Sequence, residues 1–169
     1  NLREFVDYAK KVGSLNWGSY GVGSTPHVLI ETIAKQYGIK FQVIQYRGEA
    51  PMWTGLMDGT LDVAMGSFTA AQPVVQSNKG TVFAVHSKKV PAIPDVKTLP
   101  EQGATGKFFT VSGFSGWALP KATPQPIVDR LQAEVIRVLA DPEVKKKLLA
   151  QGLEANGGTA AEFSKFIDD

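Results

Sequence analysis

The chain has 169 residues, enough for one well-formed hydrophobic core or for one domain with part of another. Its 18 lysines and arginines against 16 aspartates and glutamates give a net charge of +2, which does not favour nucleic acid or an anionic membrane as a partner. The absence of cysteine excludes disulfides, thiolate catalysis and cysteine-based metal sites, and no apolar run approaches the roughly 18 residues of a membrane span.

The chain opens on a helical pattern that places Leu2, Phe5, Val6 and Ala9 on one face. It has no initiator methionine and no signal peptide, and it ends at 166–169 within another helical pattern. We therefore expect this chain to be part of a longer protein.

Residues 15–37 predict a short strand, a loop rich in glycine and hydroxyl side chains, and a helix that stops at Gly38. Ser24 or Thr25 is the expected N-cap, and Pro26 takes the first helical position, where a missing N–H group is harmless. Such a loop directs free N–H groups and hydroxyls toward the positive end of a helix dipole, which favours a carboxylate or a phosphate. The alternative is that the glycines and the cap only connect the strand to the helix.

A nucleotide site is a weaker interpretation of this loop. A P-loop needs a lysine after its last glycine, and Ser24-Thr25 follow Gly23 instead. The dinucleotide fingerprint needs the order G-x-G-x-x-G and an acidic residue about 20 positions later. Here the glycines follow the reverse spacing, and the next strand ends at Tyr46-Arg47 rather than at an acidic residue.

The segment 41–85 alternates strands with helices, which is typical of a parallel sheet covered on both faces. The predicted elements are a strand at 41–46, a helix at 51–57, a strand at 61–65, a helix at 70–76 and a strand at 81–85. Ligands bind such sheets at the carboxyl ends of the strands, so the residues that follow each strand are candidates. These candidate loops are 18–24, 46–49, 66–69 and 112–117.

Beyond this segment, a proline-rich stretch at 90–100 predicts an extended loop, and 108–119 predicts a long strand interrupted by glycine. Three helices follow. The first is expected to be capped by Thr123, with Pro124 near its start. The second is expected to start at Asp141-Pro142-Glu143 and to end at Gly152. The third is expected to open on the Thr159-x-x-Glu162 capping box. The boundary between the α/β part and the helical part of the chain is expected near Pro120.

The histidines and acidic residues do not form a catalytic or metal-binding set. His27 is interpreted as a packing or hydrogen-bonding residue of the first helical turn, and His86 ends a strand without an acidic neighbour. Asp58 belongs to a turn and Asp62 to the start of a strand. No G-x-S-x-G nucleophile elbow is present, so the sequence predicts neither an enzyme nor a bound metal or cofactor.

Arg47 is the one charged residue of interest in the candidate loops. It stands beside Gly48 at the end of a strand, where it could pair with a ligand carboxylate or simply lie in solvent. Phe68 and Phe114 lie in candidate loops and could line a pocket. The lysines at 145–147 are interpreted as a solvated helix face rather than as a nucleic-acid patch.

Taken together, these segments resemble the Bug/TctC substrate-binding proteins of tripartite tricarboxylate transporters. The matching stretches are LNWGSYGVGSTPHVLIE, VIQYRGEAPMWTGLMDGTLDVAMGS, VPAIPDVKTLPEQGATG, SGWALPKATPQPIVDRL and LADPEVKKKLLAQGLEANGGTAAEFSKFI. Five stretches in register along the whole chain make the resemblance specific.

The resemblance implies an α/β chain with the fold of a type II periplasmic binding protein, a parallel-rich sheet flanked by helices. Residues 1–120 would form the second, ligand-binding lobe, and 121–169 would be C-terminal helices that return to the first lobe. The N-terminal part of the first lobe would be missing. The whole protein would be periplasmic and would capture a small carboxylate, a di- or tricarboxylate or an aromatic acid, for the membrane components of the transporter.

The family's contacts on this lobe, carried over by motif, fall on Ser19, Tyr20, Gly23, Ser24, Arg47, Gly48 and Ser67. Gly21, Thr25 and Phe68 lie in or beside the same candidate loops and are further predicted contacts. Gly66-Ser67 stand where many members carry an acidic residue, which argues against an amino-acid ligand.

Two other functions remain open at this level. The chain could be the effector-binding domain of a transcription regulator or sensor with the same fold, which would require a DNA-binding or signalling segment elsewhere. It could also be an enzyme acting on the carboxylate, which would require His27 or Arg47 for turnover. Incomplete lobes would leave apolar helix faces around Leu131 and Val135 uncovered, so we expect self-association or domain exchange of the isolated chain.

Overall fold

The computed structural model describes residues 1–111, 114–151 and 153–168. The chain divides into two compact units, Asn1–Ser112 and Gly113–Asp169. The elements of the first unit are α1 Leu2–Val12, β1 Leu15–Ser19, α2 Thr25–Tyr37, β2 Phe41–Gln45, α3 Glu49–Met57, β3 Val63–Ala64 and α4 Phe68–Gln76, followed by 3-10 turns at Pro100–Gln102 and Lys107–Thr110. The second unit contains α5 Gln125–Ala140, α6 Pro142–Ala150 and α7 Ala160–Asp168.

The three strands form one parallel sheet in the order β2-β1-β3. The register pairs Leu15 with Phe41 and Ser19 with Gln45 on one side of β1, and Trp17 with Val63 on the other. The predicted parallel sheet is therefore confirmed, with β1 at its centre.

Helices cover both faces of this sheet. Side chains alternate along β1, so that successive residues face opposite sides of the sheet and contact different helices. Trp17 is buried on the side of α1 and α2, in a cluster with residues such as Leu2 and Ile30. Gly18 faces the opposite cluster, where a Cβ atom would lie 2.6 Å from Met52 Cγ. Met52 belongs to α3 and packs with residues of α4, so this glycine lets α3 lie directly against the sheet.

Two of the predicted strands are wrong. Residues 81–84 form no strand, and Val85 makes only an isolated parallel bridge with Thr98. The Phe83 carbonyl instead accepts a hydrogen bond of 3.0 Å from the Gln102 side chain, so its acceptor is satisfied without a neighbouring strand.

The segment 108–119 also lacks a strand over its described residues, 108–111 and 114–119. Lys107–Thr110 coils into a 3-10 turn, closed by a 3.1 Å bond from the Phe109 N–H to the Gly106 carbonyl. Phe109 is buried in the first cluster, so burial of this ring favours the turn over an extended chain. Ser112, Gly113, Gly152 and Asp169 lie outside the described residues.

Several predicted boundaries also move. The helix α3 starts at Glu49 rather than at 51, and α4 starts at Phe68 rather than at 70, so Phe68 is helical and not part of a loop. Pro26 is the second residue of α2 rather than the first, because the helix begins at Thr25. Pro124 takes the N-cap position of α5, where Thr123 was expected.

The second unit follows local sequence signals. Asp141 accepts hydrogen bonds of 2.8 and 3.2 Å from the N–H groups of Glu143 and Val144, as a helix N-cap does. Thr159 and Glu162 form the predicted capping box before α7. Among the described residues, no helix combines the length and apolar character that a membrane span requires.

Candidate functional site

The loops that follow β1, β2 and β3 meet at one edge of the sheet, because the three strands are parallel and adjacent. The Tyr46 N–H donates to the Ser19 carbonyl at 2.8 Å, which holds the ends of β1 and β2 side by side. Three of the four predicted candidate loops are therefore neighbours. The fourth, 112–117, begins at residues outside those described.

In the loop after β1, the two serine hydroxyls are used to close the loop on itself. Ser24 Oγ donates to the Gly21 carbonyl at 2.7 Å, and Ser19 Oγ donates to the same carbonyl at 3.2 Å. The two hydroxyl oxygens are 3.3 Å apart, and Ser19 is completely buried. These hydroxyls fix the shape of the loop in this structure, and their predicted contact with a ligand stays a prediction.

The backbone of the same loop presents donors at the start of α2. Gly23 has a φ of 79°, a conformation that favours glycine, and its N–H donates to His27 Nδ1 at 3.0 Å. His27 is thus a hydrogen-bonding residue of the first turn, as the sequence indicated. The N–H groups of Thr25 and His27 donate to no group among the described residues, so they are available at the positive end of this helix.

Arg47 is exposed at the end of β2, and its guanidinium makes no ion pair or hydrogen bond with any described residue. Gly48 follows with a φ of 126° and serves as the N-cap position of α3. The glycine turns the chain sharply, so Arg47 and the first turn of α3 both lie at the carboxyl edge of the sheet. A free guanidinium in this place is suited to bidentate binding of a carboxylate.

Glu49, the first residue of α3, was not among the predicted site residues, yet it joins two of the loops. Its carboxylate accepts hydrogen bonds from the Ser67 N–H and, at 3.0 Å, from Ser67 Oγ. A Cβ atom on Gly66 would overlap Glu49 Oε1, so the carboxylate is accommodated only because residue 66 is glycine. The sequence pattern gave no pairing between 49 and 67, since that contact depends on the order of the strands.

Tyr20 stands half-buried beside this carboxylate. Burial raises the pKa of the Tyr20 hydroxyl, and the negative charge of Glu49 raises it further. The tyrosine therefore keeps its proton at neutral pH and can donate a hydrogen bond at this edge. Tyr20, Glu49 and Ser67 come from the three different loops. The carboxylate of Glu49 gives this edge a negative group as well as the positive Arg47.

The other singled-out residues have structural surroundings. Phe68 is half-buried in the first turn of α4. Phe114 belongs to the second unit, where it packs against Phe163 with ring centres 5.7 Å apart. Asp58 accepts from the Thr60 N–H at 2.9 Å, and Asp62 accepts from the Asn16 N–H at 2.8 Å, so both carboxylates serve turns and strand ends. Within the described ranges, no group of three or more histidine and acidic side chains is placed to hold a metal ion.

The sequence model of the tripartite tricarboxylate transporter family receptor, TctC, matches residues 1–169. The chain belongs to this family. The resemblance expected from the five sequence stretches is thereby confirmed.

Relatives and solved structures agree with the family. A Pseudomonas sp. strain P51 protein, the UPF0065 protein in the tcbD-tcbE intergenic region, is 30% identical over 148 residues, or 86% of this chain and 44% of its own. The structure described as R. palustris Rpa4515 with adipate has a TM-score of 0.84 at 23% identity, covering 98% of this chain and 56% of that one. A TctC solute-binding protein from Polaromonas has a TM-score of 0.66 at 24% identity, covering 99% of this chain and 57% of that one.

These structural matches confirm the periplasmic binding protein fold. The chain spans about half the length of these three proteins. Ligands and partners of a whole TctC protein therefore enter only as proposals for this chain.

Proposed function

We propose that this chain is the carboxylate-binding part of a periplasmic solute-binding protein, which delivers a small organic carboxylate to the membrane components of a tripartite tricarboxylate transporter. In this proposal residues 1–120 are the ligand-binding lobe and 121–169 are helices of the other lobe. Membership of the TctC family supports the role in transport. The adipate of the R. palustris structure supports a carboxylate ligand.

The observation that carries the proposal is Arg47. Its guanidinium has no described partner and lies at the carboxyl edge of the sheet, where open α/β folds bind ligands. The free N–H groups of Thr25 and His27 stand at the same edge, at the start of a 13-residue helix. A cation and fixed N–H donors together can hold a carboxylate without any chemistry on it. Tyr20, Gly21 and Gly48 complete the proposed surface.

The proposed role is binding rather than catalysis. The ring nitrogen Nδ1 of His27 accepts from the Gly23 N–H, so it is occupied by the loop rather than poised to take a proton from a ligand. The serine hydroxyls of the same loop, those of Ser19 and Ser24, donate to the Gly21 carbonyl. These assignments leave the described edge with groups that orient a carboxylate and none arranged as a nucleophile with its base.

The proposal predicts that Arg47→Ala weakens binding of the carboxylate by about 10- to 100-fold, because a hydrogen bond to a charged group contributes about 1.5–3 kcal/mol. The measurement is calorimetric titration of the full-length protein with a panel of mono-, di- and tricarboxylates and aromatic acids. Lys40→Ala is the matched control. Lys40 is an exposed cation that immediately precedes β2, at the end of the strand opposite Arg47.

The control variant should bind the same acid as tightly as the native protein. Equal affinity of Arg47→Ala and the native protein would contradict the role of the guanidinium. If no acid of the panel binds the native protein, carboxylate capture itself is refuted, and the loops at this edge serve the fold alone.

A further inference from the structure

The carboxylate of Glu49 already occupies the place that a ligand carboxylate would take beside Ser67. It accepts from the backbone N–H and from the hydroxyl of that residue, which is the N-cap of α4. A carboxylate at the start of a helix is the arrangement that anionic ligands adopt at such sites. The two donors of Ser67 are therefore held by an acid of the protein itself.

The fit of this carboxylate is specific. Gly66 has no side chain to obstruct it, and a Cβ atom there would lie 2.8 Å from Glu49 Cδ and overlap Oε1. The Ser67 hydroxyl is also tied to α4, since it accepts from the Ala70 N–H at 3.3 Å. Glu49 is thus linked to the framework of the edge through Ser67, and its charge acts on the neighbouring Tyr20 hydroxyl.

The charges at this edge are therefore divided. Arg47 provides an unpaired cation after β2, and Glu49, two residues later, provides a carboxylate directed to the loop after β3. Ligand carboxylates are attracted by the first group and repelled by the second. Discrimination between ligands often comes from such a repulsive element as much as from an attractive one.

We infer that Glu49 determines ligand specificity, because its carboxylate holds the Ser67 donors and excludes a second carboxylate from that end of the site. The inference rests on the proposed function. The preferred ligand then has one carboxylate, bound near Arg47, and an uncharged or cationic group beside Glu49. An amino-acid ligand, which the sequence at Gly66-Ser67 argued against, becomes compatible because Glu49 supplies the missing carboxylate at Ser67. Tyr20 can donate to an oxygen of the ligand at the boundary between the two ends.

The test compares ligands of one length that differ only at the far end. Calorimetric titration of the full-length protein uses hexanoate, adipate and 6-aminohexanoate, and then butanoate, succinate and 4-aminobutanoate. For the native protein we expect the dicarboxylate of each set to bind at least about tenfold more weakly than the monocarboxylate, since like charges at close range are disfavoured.

Glu49→Gln keeps an oxygen acceptor for Ser67 but removes the charge. In this variant the difference in affinity between the dicarboxylate and the monocarboxylate, the gap, should shrink by about tenfold. The amino acid should lose affinity relative to the monocarboxylate. Gly66→Ala retains the charge but displaces the carboxylate from Ser67, so it should close the gap only in part. Glu101→Gln is the matched control. Glu101 also accepts from a backbone N–H, that of Thr98 at 2.7 Å, and it should leave the ratio unchanged.

The possible results separate the two claims. If the acids bind and the dicarboxylate ratio is the same in the native protein and in Glu49→Gln, the inference is overturned while the proposed function stands. If none of the six probes binds the native protein or its variants, the inference is overturned, and the wider panel with tricarboxylates and aromatic acids decides the proposed function. A closing gap in Glu49→Gln with an unchanged thermal midpoint supports the inference, because a folding defect would have lowered that midpoint.

Discussion

The two units of the chain are stabilised by different kinds of interaction. In Asn1–Ser112, large side chains such as Trp17 and Ile33 are at most 1% exposed. In the described part of Gly113–Asp169, none of the helices α5, α6 and α7 has a buried residue. The helices there have partly exposed interactions, such as the 2.7 Å ion pair of Arg130 with Glu134, the Asp141 cap and the packing of Phe114 on Phe163.

Only the first unit has a buried hydrophobic core among its described residues. A buried aliphatic or aromatic side chain stabilises a fold by several kcal/mol, whereas an exposed ion pair or a cap contributes about 1 kcal/mol or less. The first unit therefore has the means to hold the sheet edge in place. The second unit exposes apolar residues, including Ile127 and Leu131, that would be buried in a complete hydrophobic core.

The largest effect is expected for Trp17→Ala. Its ring packs edge-on against Phe41 at 4.8 Å and Phe5 at 5.8 Å, so truncation removes two aromatic contacts and leaves a cavity in the first cluster. We expect the free energy of unfolding to fall by about 3–5 kcal/mol, measured by urea denaturation with circular dichroism. Ile136→Ala in α5, at a residue 37% exposed, should cost less than about 1 kcal/mol. Similar losses for the two variants would contradict the contrast between the units.

A smaller loss of stability is expected when a glycine is replaced by alanine, which adds one methyl group. A Cβ atom at Gly18 would lie 2.5 Å from Leu61 Cδ1 and 2.6 Å from Met52 Cγ, so Gly18→Ala should destabilise the first unit by about 1–3 kcal/mol. At Gly157, the nearest atom to such a Cβ is Leu139 Cδ1 at 3.6 Å, an ordinary contact. Gly157→Ala should be neutral or slightly stabilising, because alanine restricts the unfolded chain. If Gly157→Ala lost as much stability as Gly18→Ala, the two glycines would be packed equally tightly, and the contrast between the units would be contradicted.

The elements that were predicted from sequence are those whose signals are local. The apolar stripe of α1, the Gly38 stop of α2 and the Thr159–Glu162 capping box each depend on residues within one or two turns. The parallel sheet followed from the alternation of elements. The strands at 81–85 and 108–119 were wrong because Gln102 and the burial of Phe109, both set by tertiary packing, override the β-rich composition.

The candidate site shows the same limit. Its loops could be located, since strand ends in a parallel sheet share one edge, and Arg47 was recognised from its position beside Gly48. Glu49 was missed because its partner, Ser67, is 18 residues away and becomes a neighbour only when β3 pairs with β1. The hydroxyls of Ser19 and Ser24 show a different limit. Their residue types suit an anion, but in the folded loop both donate to the carbonyl of Gly21, two and three residues away, and residue type does not distinguish these two uses.

The smallest predicted effect separates the units by pH. His86 lies 4.8 Å from the Phe108 ring with Nε2 buried and unpaired among the described residues, and burial lowers its pKa from the usual 6.5. Hydrogen bonds from the Thr159 N–H and then from its hydroxyl lower the pKa of Glu162 from its usual 4.5. The unfolded chain binds a proton more readily than the folded chain at both residues, so each contribution is complete above the usual value and is lost as the pH falls below it.

The two contributions begin to be lost at different pH values, near 6.5 for His86 and near 4.5 for Glu162, which makes the units distinguishable between these values. As the pH falls below about 6.5, protonation of His86 should lower the urea midpoint of the first unit, while the Glu162 contribution persists to about 4.5. His86→Leu should remove the change between pH 7.5 and pH 5.5, because leucine has no proton to gain and suits the aromatic surroundings of the ring. Glu162→Gln should leave that change intact and alter only the response in stronger acid. If the urea midpoint of His86→Leu still fell between pH 7.5 and pH 5.5 as in the native protein, other groups would cause the acid sensitivity. Protonation of His86 would then have no effect on the stability of the fold.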